Sequence, residues 1–399
     1  VKLALIAPFW VPRYGGGEVY LDRMVKYLQE DFGWDVSVWT VTQADEDARK
    51  GVSNLPESKV HRQPFDFDPG AFYDDDSWVE WVSKWLEDTP HDVIIFAAPA
   101  TYAFSNLPNA IEFYRNLKKS DTPFGMLQHD LQKGINDMLG SWRRQGLTWE
   151  QAKDTVLCEL ENIRNDGYWK IDPAGRDYAT PVFFDPDFLI AVSEWGQTFL
   201  NPFDEVESLV LHPPLEFPED LDEPPIERPY CLGMINPIVN KGPGVFLNAA
   251  TAFKDRKHII LKGGHGRHEH EPFLRMVDTL SIDVDFVDFV EDINDFYRSC
   301  EIILFPSKFE GYGMTPIEAM IAGTIVVSSD HPAVHEAIGG AAPRLPAWGD
   351  PSEWIQAIAE VLENPDPWRV LIKERVAIVK ERQTQELQAL DSLLRRYVK

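Results

Sequence analysis

Short apolar runs bounded by turn residues alternate with helical patterns along nearly the whole 399-residue chain. Lys2–Phe9, Val36–Thr40, Asp92–Ala98, Phe124–Gln128 and Phe188–Ser193 have the length and composition of buried strands. Glu18–Gln29, Trp78–Leu86, Ala110–Leu117 and Trp149–Asn162 carry helical periodicity between them. Strands apolar throughout are covered on both faces, and helical crossovers between them impose a parallel sheet. The alternation breaks once. Leu211 to Pro229 reads LHPPLEFPEDLDEPPIERP, and proline fixes φ and denies a donor to any ladder, so linker is expected here and not core. The pattern then resumes, with strands at Tyr230–Ile235, His258–Lys262, Val284–Val290, Glu301–Phe305 and Thr324–Ser328. Helices are expected at Gly244–Phe253, Phe273–Leu280, Asn294–Ser299, Ile317–Ala322, Val334–Ile338 and Ser352–Leu362. The fold class is therefore α/β in two halves: a domain over 1–214, a Pro-rich hinge at 215–229 and a second domain over 230–374. Trp368–Tyr397 reads as a mixed-charge helix, long enough for its part from 375 to 399 to pack back on the first domain.

Charge narrows the partners. Lys and Arg number 38 against 65 Asp and Glu, a formal net charge of −27. The excess is spread over both halves, so a nucleic-acid polymer is disfavoured, because neutralised phosphates supply most of such affinity. Cys158, Cys231 and Cys300 have neither zinc spacing nor a disulfide framework and read as reduced thiols. No apolar run reaches the length needed to span a bilayer, and Val1–Pro8 is strand-like and unlike a signal peptide. The expected location is the cytoplasm. Trp142-Arg143-Arg144 could touch a membrane or a lipid-linked acceptor, but an exposed helix end explains it more simply.

The strongest chemical signal spans Phe305 to Met320, FPSKFEGYGMTPIEAM. A buried strand ends at Pro306, a glycine-containing turn follows, and Pro316 suits the start of a helix. Such a turn leaves backbone N–H groups from Gly311 to Thr315 free at a helix N-terminus, where phosphate binds readily. Glu310 and Glu318 flank this cradle and could accept hydrogen bonds from two sets of sugar hydroxyls.

With these residues in view, the sequence resembles the retaining GT-B glycosyltransferases of the family 4 type. Gly15-Gly16-Gly17-Glu18 after the first strand, Ala191-Val192-Ser193-Glu194, the Pro-rich hinge, Asn240-Lys241-Gly242 and the Glu301–Gly340 stretch follow in that family's order. The resemblance implies two Rossmann-like domains facing each other across a cleft, with the C-terminal helix crossing back. It gives Glu318 the ribose of a nucleotide donor and Glu310 the transferred sugar. Gly311, Tyr312, Gly313, Met314 and Thr315 would contact sugar and diphosphate, while Gly16 and Gly17 would approach the diphosphate from the first domain. Lys241 would neutralise the leaving group, and His129 would lie beside the donor sugar. Gly263 would line the donor cleft, and the base would lie near Phe289 and Val290.

This chain also departs from that family. Gly233–Lys241 lacks the arginine usually found shortly before the lysine, leaving diphosphate neutralisation to Lys241 with helix dipoles, or to Arg13, Lys262 or Arg267 from other loops. Phe96-Ala97-Ala98-Pro99 replaces a histidine-rich acidic pattern, and an insertion over 131–186, including Tyr168–Tyr178, is expected to form an acceptor-side lid. Gly263-Gly264-His265-Gly266-Arg267-His268-Glu269-His270 lacks the third glycine of a dinucleotide motif and the fixed geometry of a metal set. Asp74-Asp75-Asp76 before Ser77 reads as a helix cap and not a metal motif.

The expected reaction is transfer of a sugar, with retention, from a nucleoside diphosphate sugar to an acceptor hydroxyl in polysaccharide, glycolipid or glycoconjugate synthesis. UDP-glucose is the first donor to test. No cofactor or metal is expected, and the partners are the small-molecule donor and an acceptor the sequence does not name. A GT-B sugar-nucleotide epimerase and a non-catalytic sugar-nucleotide or glycan-binding protein are the alternatives.

Overall fold

The computed structural model describes residues 1–7, 10, 15–42, 53–64, 77–97, 116–119, 121–129, 133–165, 186–218, 228–262 and 267–398. The chain divides into two compact units, Val1–Pro214 with Gln383–Lys399, and Leu215–Arg382. Among the described residues, the first unit contains β1 (Lys2–Ile6), α1 (Gly16–Glu30), β2 (Asp35–Thr42), β3 (Val60–Pro64), α2 (Ser77–Asp88), β4 (Val93–Ala97) and β5 (Phe124–Gln128). It continues with α3 (Lys133–Arg144), α4 (Trp149–Asn165), β6 (Phe188–Ala191), α5 (Glu194–Leu200) and β7 (Glu207–Val210). Its strands form one sheet in the order β3-β2-β1-β4-β5-β6-β7, parallel at every pairing.

The central strands are buried because most of their residues are apolar on both faces. Leu3, Leu5, Val36, Val38, Val93, Ile95, Phe124 and Leu127 are wholly buried. Gly125 sits opposite Phe188 in the β5–β6 register, and a Cβ at Gly125 would lie 2.0 Å from the Phe188 ring. β7 is different, with one exposed residue and three half-buried ones.

The second unit contains β8 (Tyr230–Ile235), α6 (Pro243–Ala252), β9 (His258–Leu261), α7 (Arg267–Leu280), β10 (Val284–Val287), α8 (Ile293–Arg298) and β11 (Cys300–Phe305). After these come α9 (Met314–Ile321), β12 (Ile325–Ser329), α10 (Pro332–Ile338), β13 (Arg344–Leu345), α11 (Pro351–Glu363) and most of α12 (Asp366–Tyr397). The sheet order is β10-β9-β8-β11-β12-β13, again parallel throughout. β8 continues outward to β9 and β10, whereas β11 returns beside β8 and continues the other way. The switch point lies between β8 and β11, and ligands of open α/β sheets bind outside the carboxyl ends of such strands.

The proline-rich segment departs from its reading as linker. Leu211 and Leu215 are each 1% exposed, and the Leu211 N–H continues the sheet to the Ala191 carbonyl at 2.8 Å. Proline lacks a donor but keeps its carbonyl. The Tyr20 hydroxyl donates to Leu211 O and the Arg23 guanidinium to Pro214 O, both at 3.2 Å. The linker reading is corrected for Leu211–Leu215, where the N–H groups of Leu211 and His212 and the carbonyls of Leu211 and Pro214 are all bonded; residues 219–227 lie outside the described residues.

The end of α12 belongs to the first unit. Trp34 Nε1 donates to Asp391 at 2.7 Å, the Tyr397 hydroxyl to Asp187 O at 2.8 Å, and Leu387, Leu390 and Leu394 are buried. His212 engages Glu386 twice, through its N–H at 3.0 Å and its Nδ1 at 2.6 Å. Cys231 and Cys300 are buried free thiols, which burial pushes up to about 11 and about 12. Among the described residues, no helix is long and apolar enough to cross a membrane.

Candidate active site

The two loops at the β8/β11 switch point carry the charged pair. The loop after β8 turns at Asn236, whose φ of 57° is left-handed. Its carbonyl then accepts from Ile238 N at 2.8 Å. A 3-10 turn over Val239–Lys241 ends at Gly242, with φ 71° and ψ 43°, and Pro243 opens α6 at a position suited to proline. Asn240 O accepts from Lys308 N at 2.9 Å, joining this loop to the one after β11. A Cβ on Gly242 would lie 2.3 Å from Pro306 O. Only glycine permits both the backbone angles and the approach.

This packing brings Lys241 Nζ to 2.5 Å from Glu310 Oε1, with side-chain exposures of 28% and 11%. The ammonium also lies 5.8 Å from the Phe305 ring centroid. Gly313, at φ 103°, caps α9 without a side-chain hydrogen bond, and no acid occupies that helix's first turn. The backbone N–H groups of Met314 and Thr315 therefore open onto the carboxyl end of β11, with the positive end of the helix dipole unopposed by a first-turn acid. Glu318, one turn further, accepts from the Tyr297 hydroxyl at 3.2 Å. Gly311 is buried, whereas Met314 and Thr315 are half-buried.

Tyr312 makes its side-chain contacts elsewhere. It is 3% exposed, and its hydroxyl accepts from Arg382 on α12, which leaves its main chain to serve a ligand at the loop. Phe289 is 57% exposed after β10, and Val290 beside it is half-buried. Lys262 Nζ lies 3.5 Å from Asp288 after β10. Gly263 and Arg13 lie outside the described residues, and so does the side chain of Arg267.

In the first unit, Gly16 and Gly17 open α1, whose cap residue is Gly15. Glu18 occupies the third position of that helix and folds back, so that a Cβ on Gly15 would meet its Oε2 at 2.3 Å. An acid there complements the helix dipole. This N-terminus already holds a carboxylate, unlike that of α9, so the electrostatics favour a diphosphate at α9. His129 follows β5 and reaches α1: a Cβ on Gly17 would lie 3.4 Å from its Nδ1. Tyr20 packs edge-on against it at 5.2 Å.

His129 Nε2 is shielded from solvent and has no hydrogen-bond partner among the described residues. Burial lowers its imidazole from 6.5 to about 4, so it is neutral at pH 7. The unfolded chain binds a proton between these two values that the folded chain refuses. Stability contributed by neutral His129 is therefore complete above pH 6.5 and is lost as pH falls toward 4, by on the order of 3 kcal/mol. The His129→Gln variant should show a flatter urea midpoint across that window, and the wild-type His129 ring should titrate near 4 by NMR.

Among the described residues, no three His, Cys, Asp or Glu side chains gather as a metal set. Asp74–Asp76 and Tyr168–Tyr178 lie outside those residues. Arg143 is engaged within the α3–α4 turn, with Nη1 2.6 Å from Leu147 O and its guanidinium 4.9 Å from the Trp149 ring centroid. That engagement supports the plain reading of the Trp142–Arg144 cluster as a helix end.

The second unit's sequence matches a known family. Residues 228–364 match the family described as "Glycosyl transferases group 1". The likeness to that glycosyltransferase family is carried by this segment alone. The matched segment contains Lys241, Glu310 and Glu318, together with the β8/β11 switch point. The D-inositol 3-phosphate glycosyltransferase of Mycolicibacterium smegmatis is 29% identical over 141 residues, 33% of this chain and 32% of that protein. The chain spans about a third of the length of that protein and of the next curated relatives it matches. Sucrose-phosphate synthase from Thermosynechococcus elongatus superposes with a TM-score of 0.71 at 16% identity, covering 99% of this chain and 98% of that one. HepE from Anabaena, solved in complex with UDP and glucose, does so with a TM-score of 0.63 at 16% identity and 98% coverage of both. These likenesses establish the GT-B fold, two parallel-sheet α/β units.

Proposed function

We propose that this protein is a retaining glycosyltransferase that moves a sugar from a nucleoside diphosphate sugar to an acceptor hydroxyl. The observation that carries this reading is the Lys241–Glu310 pair, 2.5 Å apart, beside the uncapped N-terminus of α9. A diphosphate sugar presents one group for each feature. Its phosphates take Lys241 and the amides of Gly313, Met314 and Thr315, while its sugar hydroxyls take the Glu310 carboxylate. Glu318, already accepting from Tyr297, has the chemistry to bind a ribose, and the backbone at Val290 is the place for the base.

The chemistry is transfer with anomeric retention. The acceptor hydroxyl attacks on the face the leaving group departs from, through an oxocarbenium-like transition state, and the leaving phosphate oxygen takes the hydroxyl proton. Lys241 and the α9 amides stabilise the charge that grows on that phosphate, so their effect is larger in the transition state than in the ground state. Neutral His129 can donate to or accept from a sugar hydroxyl. In this mechanism fixed positive charge and helix dipole fill the role of a divalent ion, and no cofactor takes part.

UDP-glucose is the first donor to test, in keeping with the UDP and glucose bound by HepE. The acceptor belongs to polysaccharide, glycolipid or glycoconjugate synthesis, and the reaction takes place in the cytoplasm. The test begins with a thermal-shift panel of nucleoside diphosphates and their sugars. It then measures nucleotide release against a set of hydroxyl acceptors and the anomeric configuration of the product by NMR. Acceptor-dependent release of nucleotide with a retained anomer is expected. Binding without turnover for every acceptor would favour a binding protein, and a free epimerised sugar nucleotide would favour an epimerase.

A further inference from the structure

The loop that carries Glu310 is gripped from behind by the C-terminal helix. Arg382 donates through Nη2 to the Tyr312 hydroxyl and through Nη1 to Glu336 O at 3.1 Å, with its guanidinium 5.7 Å from the Tyr312 ring centroid. Arg375, two turns earlier on α12, donates through Nε to Ala337 O at 2.9 Å and through Nη2 to Glu336 O. Glu336 and Ala337 lie in the last turn of α10, whose carbonyls favour cations. α10 itself abuts the loop, since a Cβ on Gly313 would lie 3.3 Å from Val334 Cγ2.

Tyr312 stands two residues after Glu310 and one before the cap of α9. Its ring and hydroxyl are fixed by a planar fork that binds two acceptors at once, a geometry lysine cannot reproduce. We infer that Arg382 is a positioning residue for sugar transfer: through Tyr312 and Glu336 it holds Glu310 and the Gly311–Thr315 amides in the arrangement that receives the donor. This role rests on the glycosyl-transfer reading, but the clamp itself does not.

The test compares Arg382→Met, Arg382→Lys, Tyr312→Phe and the Arg382→Met/Tyr312→Phe double variant with wild type. Arg382→Met should raise hydrogen exchange several-fold at the Gly311–Thr315 amides without ligand, while amides of β11 and β12 keep their protection. It should lower kcat/KM for the donor about tenfold or more, with the acceptor KM unchanged. Arg382→Lys should recover part of this loss. The double variant should be no worse than the stronger single one, because both remove the same contact. Unchanged exchange at the loop, or loss of thermal stability with normal turnover per folded molecule, would overturn the inference. If wild type turns over no sugar nucleotide, exchange still decides the clamp, and glycosyl transfer alone fails.

Discussion

Replacing Glu310 by Ala should lower sugar transfer by about 10²-fold or more, because the sugar loses the carboxylate that holds its hydroxyls in the reacting geometry. Folding should be affected less than activity. The Lys241–Glu310 pair is partly buried, with exposures of 28% for the lysine and 11% for the glutamate, and the freed ammonium can turn to water, so the loss stays below the roughly 3–5 kcal/mol of a fully buried pair. The variant frees Lys241, so affinity for a nucleoside diphosphate without sugar should hold or rise while turnover collapses. Glu310→Gln separates charge from shape, since the amide keeps one acceptor and loses the carboxylate. The decisive measurement pairs the initial rate of nucleotide release with the Kd of the bare nucleoside diphosphate. A Glu310→Ala enzyme transferring sugar at the wild-type rate would remove Glu310 from the reaction.

Gly242→Ala should damage both folding and activity. The left-handed backbone at φ 71° costs a residue with a Cβ about 1–2 kcal/mol. The added carbon also meets Pro306 O at 2.3 Å, a backbone atom with no rotamer to escape into. Relief requires the loop carrying Lys241 to move away from the exit of β11, which parts the pair with Glu310. We expect roughly 2–4 kcal/mol of lost stability and a fall in kcat/KM of about tenfold to a hundredfold. Gly244→Ala is the matched control. Nothing lies within 4 Å of a Cβ there, the position is inside α6, and alanine is the better helix former. That control should match or exceed wild type in melting temperature. Equal behaviour of the two variants would show that the approach to Pro306 carries no strain.

Much of this fold was legible because buried parallel strands write themselves as unbroken apolar runs. Phe124–Gln128 and Tyr230–Ile235 have in the structure the bounds expected from the sequence. β3 and β7 were not legible. Val60–Pro64 carries His, Arg and Gln, Glu207–Val210 is half-exposed, and both sit at the edge of their sheet, where one side needs no apolar partner. Helix α3 was missed because Lys133–Arg144 is rich in polar residues, and its apolar positions Ile135 and Leu139 show as a buried i, i+4 pair only once folded.

At the site, the strand–turn–helix pattern announced the Glu310–Glu318 segment. Two features could not be read, and a third could have been. The meeting of Lys241 with Glu310 depends on sheet order, which places β8 beside β11. The turning of Tyr312 toward Arg382 spans 70 positions of chain. Glu18 over the start of α1 had a signal, an acid three residues after the cap glycine, that could have been taken as a helix-capping pattern.

The assignment of Gln383–Lys399 to the same unit as Val1–Pro214 has a consequence for how the protein is made. On the ribosome the first unit emerges long before the piece that completes it. Until Gln383–Lys399 have been made, Trp34 lacks Asp391, His212 lacks Glu386, and the surface that Leu387, Leu390 and Leu394 pack against stays open to water. Leu215–Arg382 is continuous in sequence and has its whole sheet available earlier. Synthesis therefore runs from the N-terminus, yet the unit begun first closes last. Synthesis of Gln383–Lys399, more than that of Val1–Pro214, sets the moment at which the unit carrying His129 matures.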